Sequence, residues 1–276
     1  MTILLESQTI QNIPTLMLKP GKTENCPVIF FIPGYRGKKE HGLSLGYQLA
    51  QQGFFFVSFD PLYHGERYDP ILDNAADPAF GGVYPPDMGM DTGLVMYRVI
   101  QQCLEDTRVL VNYLEQEPNA GVQRCGVTGL SMGGYASYLV FATLPEIHAA
   151  VPMIGIPHFS WRWRDLLDES AYSNPEWAEA LRKIQHLVAE HTRFIEDIDP
   201  YEKLKEVAPK ALFMMNCDFD ADQPKIYAVY AYRELFPFYQ SHPQNIKLRI
   251  YPAGHEVTPQ MEEEAVNWFI KHLQGR

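Results

Sequence analysis

The sequence predicts an α/β protein with a mostly parallel central sheet, helices on both of its faces and one helical insertion. Three observations carry that prediction. Short apolar runs alternate with longer segments whose apolar residues recur at helical spacing. Two of the runs, "PVIFFI" and "FFFVSFD", are apolar almost without a break, as strands covered on both faces must be. The stretch "GVTGLSMGGY", residues 126–135, changes from a strand-like to a helix-like pattern across a single serine.

Taken in order, "TILLESQTI" and "PTLMLK" read as strands, and the two buried runs follow with "GLSLGYQLAQQG" between them as a helix stopped at Gly53. A long helix is expected from about Thr92 to Glu117, with Met96, Val99, Ile100, Cys103, Thr107, Leu110 and Leu114 on one stripe and Pro118 and Asn119 beyond its end. "VQRCGVTG" reads as a buried strand, "YASYLVFATL" as a helix ending at Pro145, and "HAAVPMIG" as the next strand. The rhythm then breaks between about Ile156 and Val207. There "WRWRDLLDES" and "NPEWAEALRKIQHLVAEHTRFIEDI" read as helices, with Asn174 as N-cap, Pro175 in the first turn, and Trp177, Leu181, Ile184, Val188 and Ile195 on one stripe. Helices inserted at this point of an α/β sheet are expected to lie over the carboxyl ends of the strands as a lid. The alternation resumes with "ALFMMN", "KIYAVYAYREL", "IKLRIY" and "EEEAVNWFIKHL". With no repeats and no linker, residues 1–276 are expected to form one domain that carries the insertion at about 156–207.

Composition narrows the function classes. The 276 residues are 46% hydrophobic, which suits a globule with a substantial core. Lys and Arg number 23 against 34 Asp and Glu, a net charge of -11, and no basic cluster tracks a phosphate backbone; nucleic acid is not an expected partner. Runs such as "CPVIFFIPG" are too short to span a bilayer, and "MTILLESQTI" lacks the basic start and long apolar stretch of a signal peptide, so a cytoplasmic location is expected. Cys26, Cys103, Cys125 and Cys217 are scattered without C-x-x-C spacing and read as reduced cysteines, three of them small core residues. The nine histidines form no metal pattern, since His186 and His191 are five apart on a predicted helix; neither a metal nor a cofactor is expected.

The chemistry is expected at the corner of "GVTGLSMGGY". A strand that turns into a helix around G-x-S-x-G gives its serine a strained backbone and exposes the hydroxyl. Side chains two residues before or after it would collide with the neighbouring strand and helix, which Gly129 and Gly133 avoid. Ser131 is therefore a candidate nucleophile, and a hydroxyl at neutral pH needs a base and a group that orients the base. His255 in "RIYPAGHEVTP" directly follows the last predicted strand and is the candidate base. His64 in "FDPLYHGER" also follows a strand and is assigned a turn or pocket-wall role. The acid comes from "NCDFDADQP", where Asp218, Asp220 and Asp222 all follow a strand.

The order serine, aspartate, histidine resembles that of the α/β-hydrolases, and the resemblance extends over nearly the whole chain: "FFIPGYRG", "FDPLYHG", "GLSMGG", "NCDFDADQP" and "AGHE". Among its branches the chain looks most like small bacterial esterases and prolyl-oligopeptidase-like hydrolases. In those relatives the acid falls about three residues after a strand-ending glycine, with a proline further on. Cys217 stands where that glycine is expected, so the register points to Asp220, with Pro224 in the later place and Asp222 as runner-up. The resemblance also implies an oxyanion hole from the backbone N–H groups of Met132 and of Tyr35 in "PGYRG". It implies a serine hydrolase that cleaves small-molecule carboxylic esters through an acyl-enzyme. Thioester or short-peptide cleavage and acyl transfer are alternatives on the same triad, although 276 residues leave no length for the propeller domain of the larger peptidases. A non-catalytic receptor with the same fold is the alternative of another class. The aromatic residues of "YRG", "PHFSWRW" and "FGGVYPP" suggest an apolar or aromatic acyl pocket.

Overall fold

In the computed structural model all residues are described here except 1, 22–23, 71, 73–90, 168–184, 221–222 and 276. Eight strands form one sheet in the order β1-β2-β4-β3-β5-β6-β7-β8. They are β1 Ile3–Ile10, β2 Ile13–Pro20, β3 Cys26–Ile32, β4 Phe55–Phe59, β5 Ala120–Leu130, β6 Ile147–Met153, β7 Ala211–Cys217 and β8 Ile246–Tyr251. β1 and β2 pair antiparallel, β2 joins β4 antiparallel, and every pairing from β4 to β8 is parallel. This is the mostly parallel sheet that the continuous apolar runs require.

The helices used below are α1 Leu43–Gln51, α2 Asp91–Leu114, α3 Met132–Thr143, α4 Phe159–Leu167, α5 Gln185–Ile198, α6 Tyr201–Glu206, α7 Ile226–Leu235 and α8 Pro259–Phe269. Alternation along β3 divides the core into two layers. Val28, Phe30 and Ile32 pack with Ile100 and Cys103 of α2 and with α3, whereas Ile29 and Phe31 pack with Leu45 of α1 and Phe269 of α8. At roughly 1.5–3 kcal/mol for each fully buried large apolar side chain, these two layers are what hold helices to both faces.

The expected stripe of α2 is buried through Val99, Ile100, Cys103, Thr107, Leu110 and Leu114, while Met96 is only partly buried. The helix stops at Leu114 rather than Glu117. Beyond it, Gln116 and Glu117 donate to the carbonyls of Tyr113 and Leu114, three residues back, which tightens the last turn before Pro118. In the insertion, α4, α5 and α6 are helical, and no strand occurs among its described residues. Ile195 is buried as expected, while Asn174, Pro175, Trp177, Leu181 and Ile184 lie outside the described residues. The four cysteines are buried thiols outside any disulfide.

The topology decides where loops gather. From β3 the chain crosses to β4 on one side, and from α2 it returns to β5 on the other. The carboxyl ends of β3 and β5 therefore flank the switch point of the sheet, where a crevice opens in folds of this kind.

Candidate active site

Ser131 sits at that switch point, between β5 and α3, with φ 55° and ψ -115°. Few residues other than glycine adopt that backbone, which costs about 1–3 kcal/mol and is kept only when the surroundings impose it. They do so through hydrogen bonds on both sides. The Ser131 N–H donates to Met153 O on β6 at 2.9 Å, and the Ser131 carbonyl accepts from Tyr135 N at 3.0 Å. Gly129 and Gly133 are needed for the reason the sequence suggested. A Cβ on Gly133 would lie 1.9 Å from the carbonyl oxygen of Ile32, and one on Gly129 would lie 2.5 Å from that of Gly133.

Met132 is the first residue of α3, where backbone N–H groups have no intrahelical acceptor and the helix end carries partial positive charge. The loop after β3 comes close to the same point. A Cβ on Gly34 would stand 3.1 Å from Leu130 O and 3.7 Å from the Cβ of Ser131, so Tyr35 follows a backbone already against the serine. The Tyr35 hydroxyl donates to Leu72 O at 2.9 Å, and its ring meets His64 edge-on with centroids 5.7 Å apart.

Asp60, fully buried just beyond β4, braces this loop. Its carboxylate accepts from the Lys39 backbone N–H at 2.8 Å, from Lys39 Nζ at 3.1 Å and from the Glu66 N–H at 2.9 Å. Burial alone lowers the pKa of an ammonium, but Glu66 and Asp60 outweigh it and hold Lys39 well above the usual lysine range. His64 is 1% exposed, and its Nδ1 donates to Leu62 O at 2.7 Å. Burial holds its pKa below the ordinary histidine value. It lies in a turn, where its N–H donates to Pro61 O at 3.0 Å and its carbonyl accepts from Arg67 N at 2.9 Å.

His255 and Asp220 come together beyond the carboxyl ends of β8 and β7. β7 and β8 are adjacent and parallel, and the ladder runs on past their ends: Asp218 N donates to Tyr251 O at 2.8 Å and Phe219 N to Ala253 O at 3.0 Å. That continuation brings Asp220 Oδ2 to 2.7 Å from His255 Nδ1, with the Asp220 side chain at 0% exposure and that of His255 at 33%. A carboxylate accepts only, so Nδ1 carries the proton and Nε2 is left as the basic nitrogen. Asp218 points elsewhere, into an ion pair with Lys225 at the surface. Asp222 lies outside the described residues.

Tyr35, Ser131, Asp220 and His255 therefore follow the carboxyl ends of β3, β5, β7 and β8, and Met132 opens α3 directly after Ser131. Among the described residues no cluster of His, Cys, Asp and Glu could hold a metal ion, and no helix is long and apolar enough to cross a membrane. The profile of the prolyl oligopeptidase family matches residues 94–276, which include Ser131, Asp220 and His255. The chain belongs to the prolyl oligopeptidase family. As a member it is a serine hydrolase, and its fold is the α/β-hydrolase fold. The chain is 25% identical over 274 residues to the protein named "Putative esterase YitV" of Bacillus subtilis (strain 168), covering 98% of this chain and 100% of that one. It superposes on the crystal structure of TT1662 from Thermus thermophilus with a TM-score of 0.72 at 19% identity, all of both chains being covered. It also superposes on the acetyl xylan esterase from Paenibacillus sp. R4 with a TM-score of 0.67 at 16% identity, over 99% of this chain and 90% of that one.

Two polar arrangements beside the site had no signal in the sequence. His158, just after β6, pairs with the partly buried Asp199 at 2.8 Å, and Asp199 also accepts from the N–H groups of Ser160 at 2.8 Å and Tyr201 at 3.0 Å. Burial by itself raises the Asp199 carboxyl, but these donors outweigh it and hold the group below the usual carboxylate range. One carboxylate thus ties the start of the insertion, at α4, to its end, at α6. The other arrangement joins Tyr135 of α3 to Gln223 in the acid loop, with the Tyr135 hydroxyl 2.7 Å from Gln223 Oε1. The partners are separated by 41 and 88 residues, and periodicity reports only near neighbours.

Proposed function

We propose that this serine hydrolase cleaves small-molecule carboxylic esters through an acyl-enzyme, with Ser131 as nucleophile, His255 as base and Asp220 as the acid that orients it. The observation that carries the reading is the 2.7 Å hydrogen bond that the partly exposed His255 imidazole donates to the buried Asp220 carboxylate, in a chain whose Ser131 is held in strained backbone. In the first half-reaction Nε2 of His255 takes the Ser131 hydroxyl proton as Oγ bonds to the acyl carbon. The negative charge moves to the former carbonyl oxygen, which the N–H groups of Met132 and Tyr35 hold. The imidazolium then gives its proton to the departing alkoxide as the ester C–O bond breaks. Water repeats the sequence on the acyl-enzyme and releases the carboxylic acid and the free serine. No step in this scheme draws on a metal or a cofactor.

The ester reading is supported by the esterase names of the Bacillus subtilis relative and of the Paenibacillus structure. We read the chain as one domain whose insertion, fastened at its neck by Asp199, covers the site as a lid. A reducing compartment such as the cytoplasm suits its four buried thiols, none of them in a disulfide. The test is labelling of the protein and of Ser131→Ala with a fluorophosphonate, followed by a series of p-nitrophenyl esters from acetate to long-chain acyl. Labelling and turnover in the wild type alone are expected. A folded wild type that neither labels nor turns over any ester would overturn the reading in favour of a receptor.

A further inference from the structure

Asp220 has two carboxylate oxygens, and each meets a different donor. Oδ2 faces His255 Nδ1 at 2.7 Å, and Oδ1 accepts the backbone N–H of Gln223 at 2.9 Å. Gln223 is itself pinned from α3, because its side-chain Oε1 accepts the Tyr135 hydroxyl at 2.7 Å. Tyr135 is 1% exposed and belongs to the first turn of α3, where its own N–H donates to the Ser131 carbonyl at 3.0 Å. Its hydroxyl also takes a hydrogen bond from Arg162 of α4. Burial pushes the Tyr135 phenol well above the usual tyrosine range, so the hydroxyl keeps the proton it donates to Gln223 at any working pH.

A carboxylate turns easily about its last side-chain bond, since that torsion has broad, shallow wells. One hydrogen bond to His255 leaves the plane of the Asp220 carboxylate free to rock; a second, fixed donor at Oδ1 does not. We propose that Tyr135 and Gln223 are positioning residues for the catalytic acid: the Tyr135 hydroxyl anchors the Gln223 side chain, and the Gln223 peptide N–H locks Asp220 with Oδ2 toward His255. The proposal rests on the reading of Ser131, His255 and Asp220 as the triad. It makes the nucleophile helix and the acid loop a single unit, because the residue that closes the first turn behind Ser131 also holds Asp220.

The experiment is steady-state kinetics on one p-nitrophenyl ester for Tyr135→Phe, Gln223→Ala and the double variant of the full chain, each also made in an Asp220→Asn background. Either single variant is expected to lower kcat about ten- to a hundredfold, the scale of a small misplacement of a reacting group, with KM within about twofold. The double variant is expected to be no worse than the worse single by more than about threefold, as for two residues of one network. With Asp220→Asn already in place, Tyr135→Phe should change kcat less than about twofold. The downfield proton resonance of His255 Nδ1–H should weaken in Tyr135→Phe. Gln223 is only half-buried, so Gln223→Ala carries the test if Tyr135→Phe fails to fold. A full loss from Tyr135→Phe or Gln223→Ala in the Asp220→Asn background, or a change in KM alone, would overturn the proposal. Wild-type kcat in both single variants overturns it too, while a large loss from Asp220→Asn leaves the triad standing. Wild-type kcat in Asp220→Asn overturns the triad reading first.

Discussion

His255 and Asp220 trail two adjacent parallel strands, and their hydrogen bond follows from the two backbone pairings just before it, Asp218 N to Tyr251 O and Phe219 N to Ala253 O. The ladder sets which of the neighbouring carboxylates meets the imidazole. Asp220→Asn is expected to lower kcat by about four orders of magnitude, because an amide cannot hold the imidazole in the working tautomer. Asp218→Asn, which removes an exposed ion pair, should leave kcat within about twofold. Asp222→Asn belongs beside them. A large loss at Asp222 with little at Asp220 would move the acid by two residues.

Ser131→Gly separates stability from activity. Glycine adopts φ 55° without a steric penalty, so the variant is expected to be more stable than wild type by about 1 kcal/mol in urea unfolding while losing turnover. Gly133→Ala runs the other way, since its methyl group meets the carbonyl of Ile32; a loss of at least about 3 kcal/mol is expected. Equal stability of Ser131→Gly and wild type would show that the strain at the elbow is not stored in the serine backbone.

Asp60→Ala should unsettle the loop that carries Tyr35. Lys39 is 2% exposed, and it would keep Glu66 and Glu40 but lose its one buried carboxylate, while two backbone N–H groups lose their acceptor. The expected cost is about 3 kcal/mol in denaturant unfolding, with a fall in kcat. A change below about 1 kcal/mol would mean that the loop is braced by something else.

The pH dependence of stability has a sign that burial dictates. Burial holds the pKa of His64 below the ordinary histidine value of about 6.5, and burial with the neighbouring Lys271 lowers that of His272 to about 4. As pH falls through about 6.5 the unfolded chain takes up these protons before the folded one, so stability is lost progressively below that point. The melting temperature is expected to decline between pH 6.5 and pH 5, and less steeply in His64→Gln. Parallel curves for the two proteins would remove His64 from the account.

Much of this was legible along the chain because it is local. Each of the eight strands overlaps a run read as a strand; β2, β3, β4, β6 and β7 show it as near-continuous burial over five to eight consecutive residues, whereas β1 is mostly exposed. The elbow is readable for the same reason: Gly129, Ser131 and Gly133 answer a steric need within one turn of backbone. His255 is readable from its place just after the last strand.

The choice among Asp218, Asp220 and Asp222 was of another kind. Their spacing left three carboxylates in one acidic loop, and family register preferred Asp220; the pairing of β7 with β8 is what carries Asp220 to the imidazole and turns Asp218 toward Lys225. Tyr135 and Gln223, or His158 and Asp199, have no neighbourhood in sequence at all, being 88 and 41 residues apart. The sequence by itself determined the strands, the strained corner and the residue types available for chemistry, because propensity and steric need act over a few residues. Which oxygen meets which nitrogen was decided only by the tertiary structure, because a hydrogen bond tolerates errors of a few tenths of an ångström and only the packed sheet delivers separate loops to that tolerance.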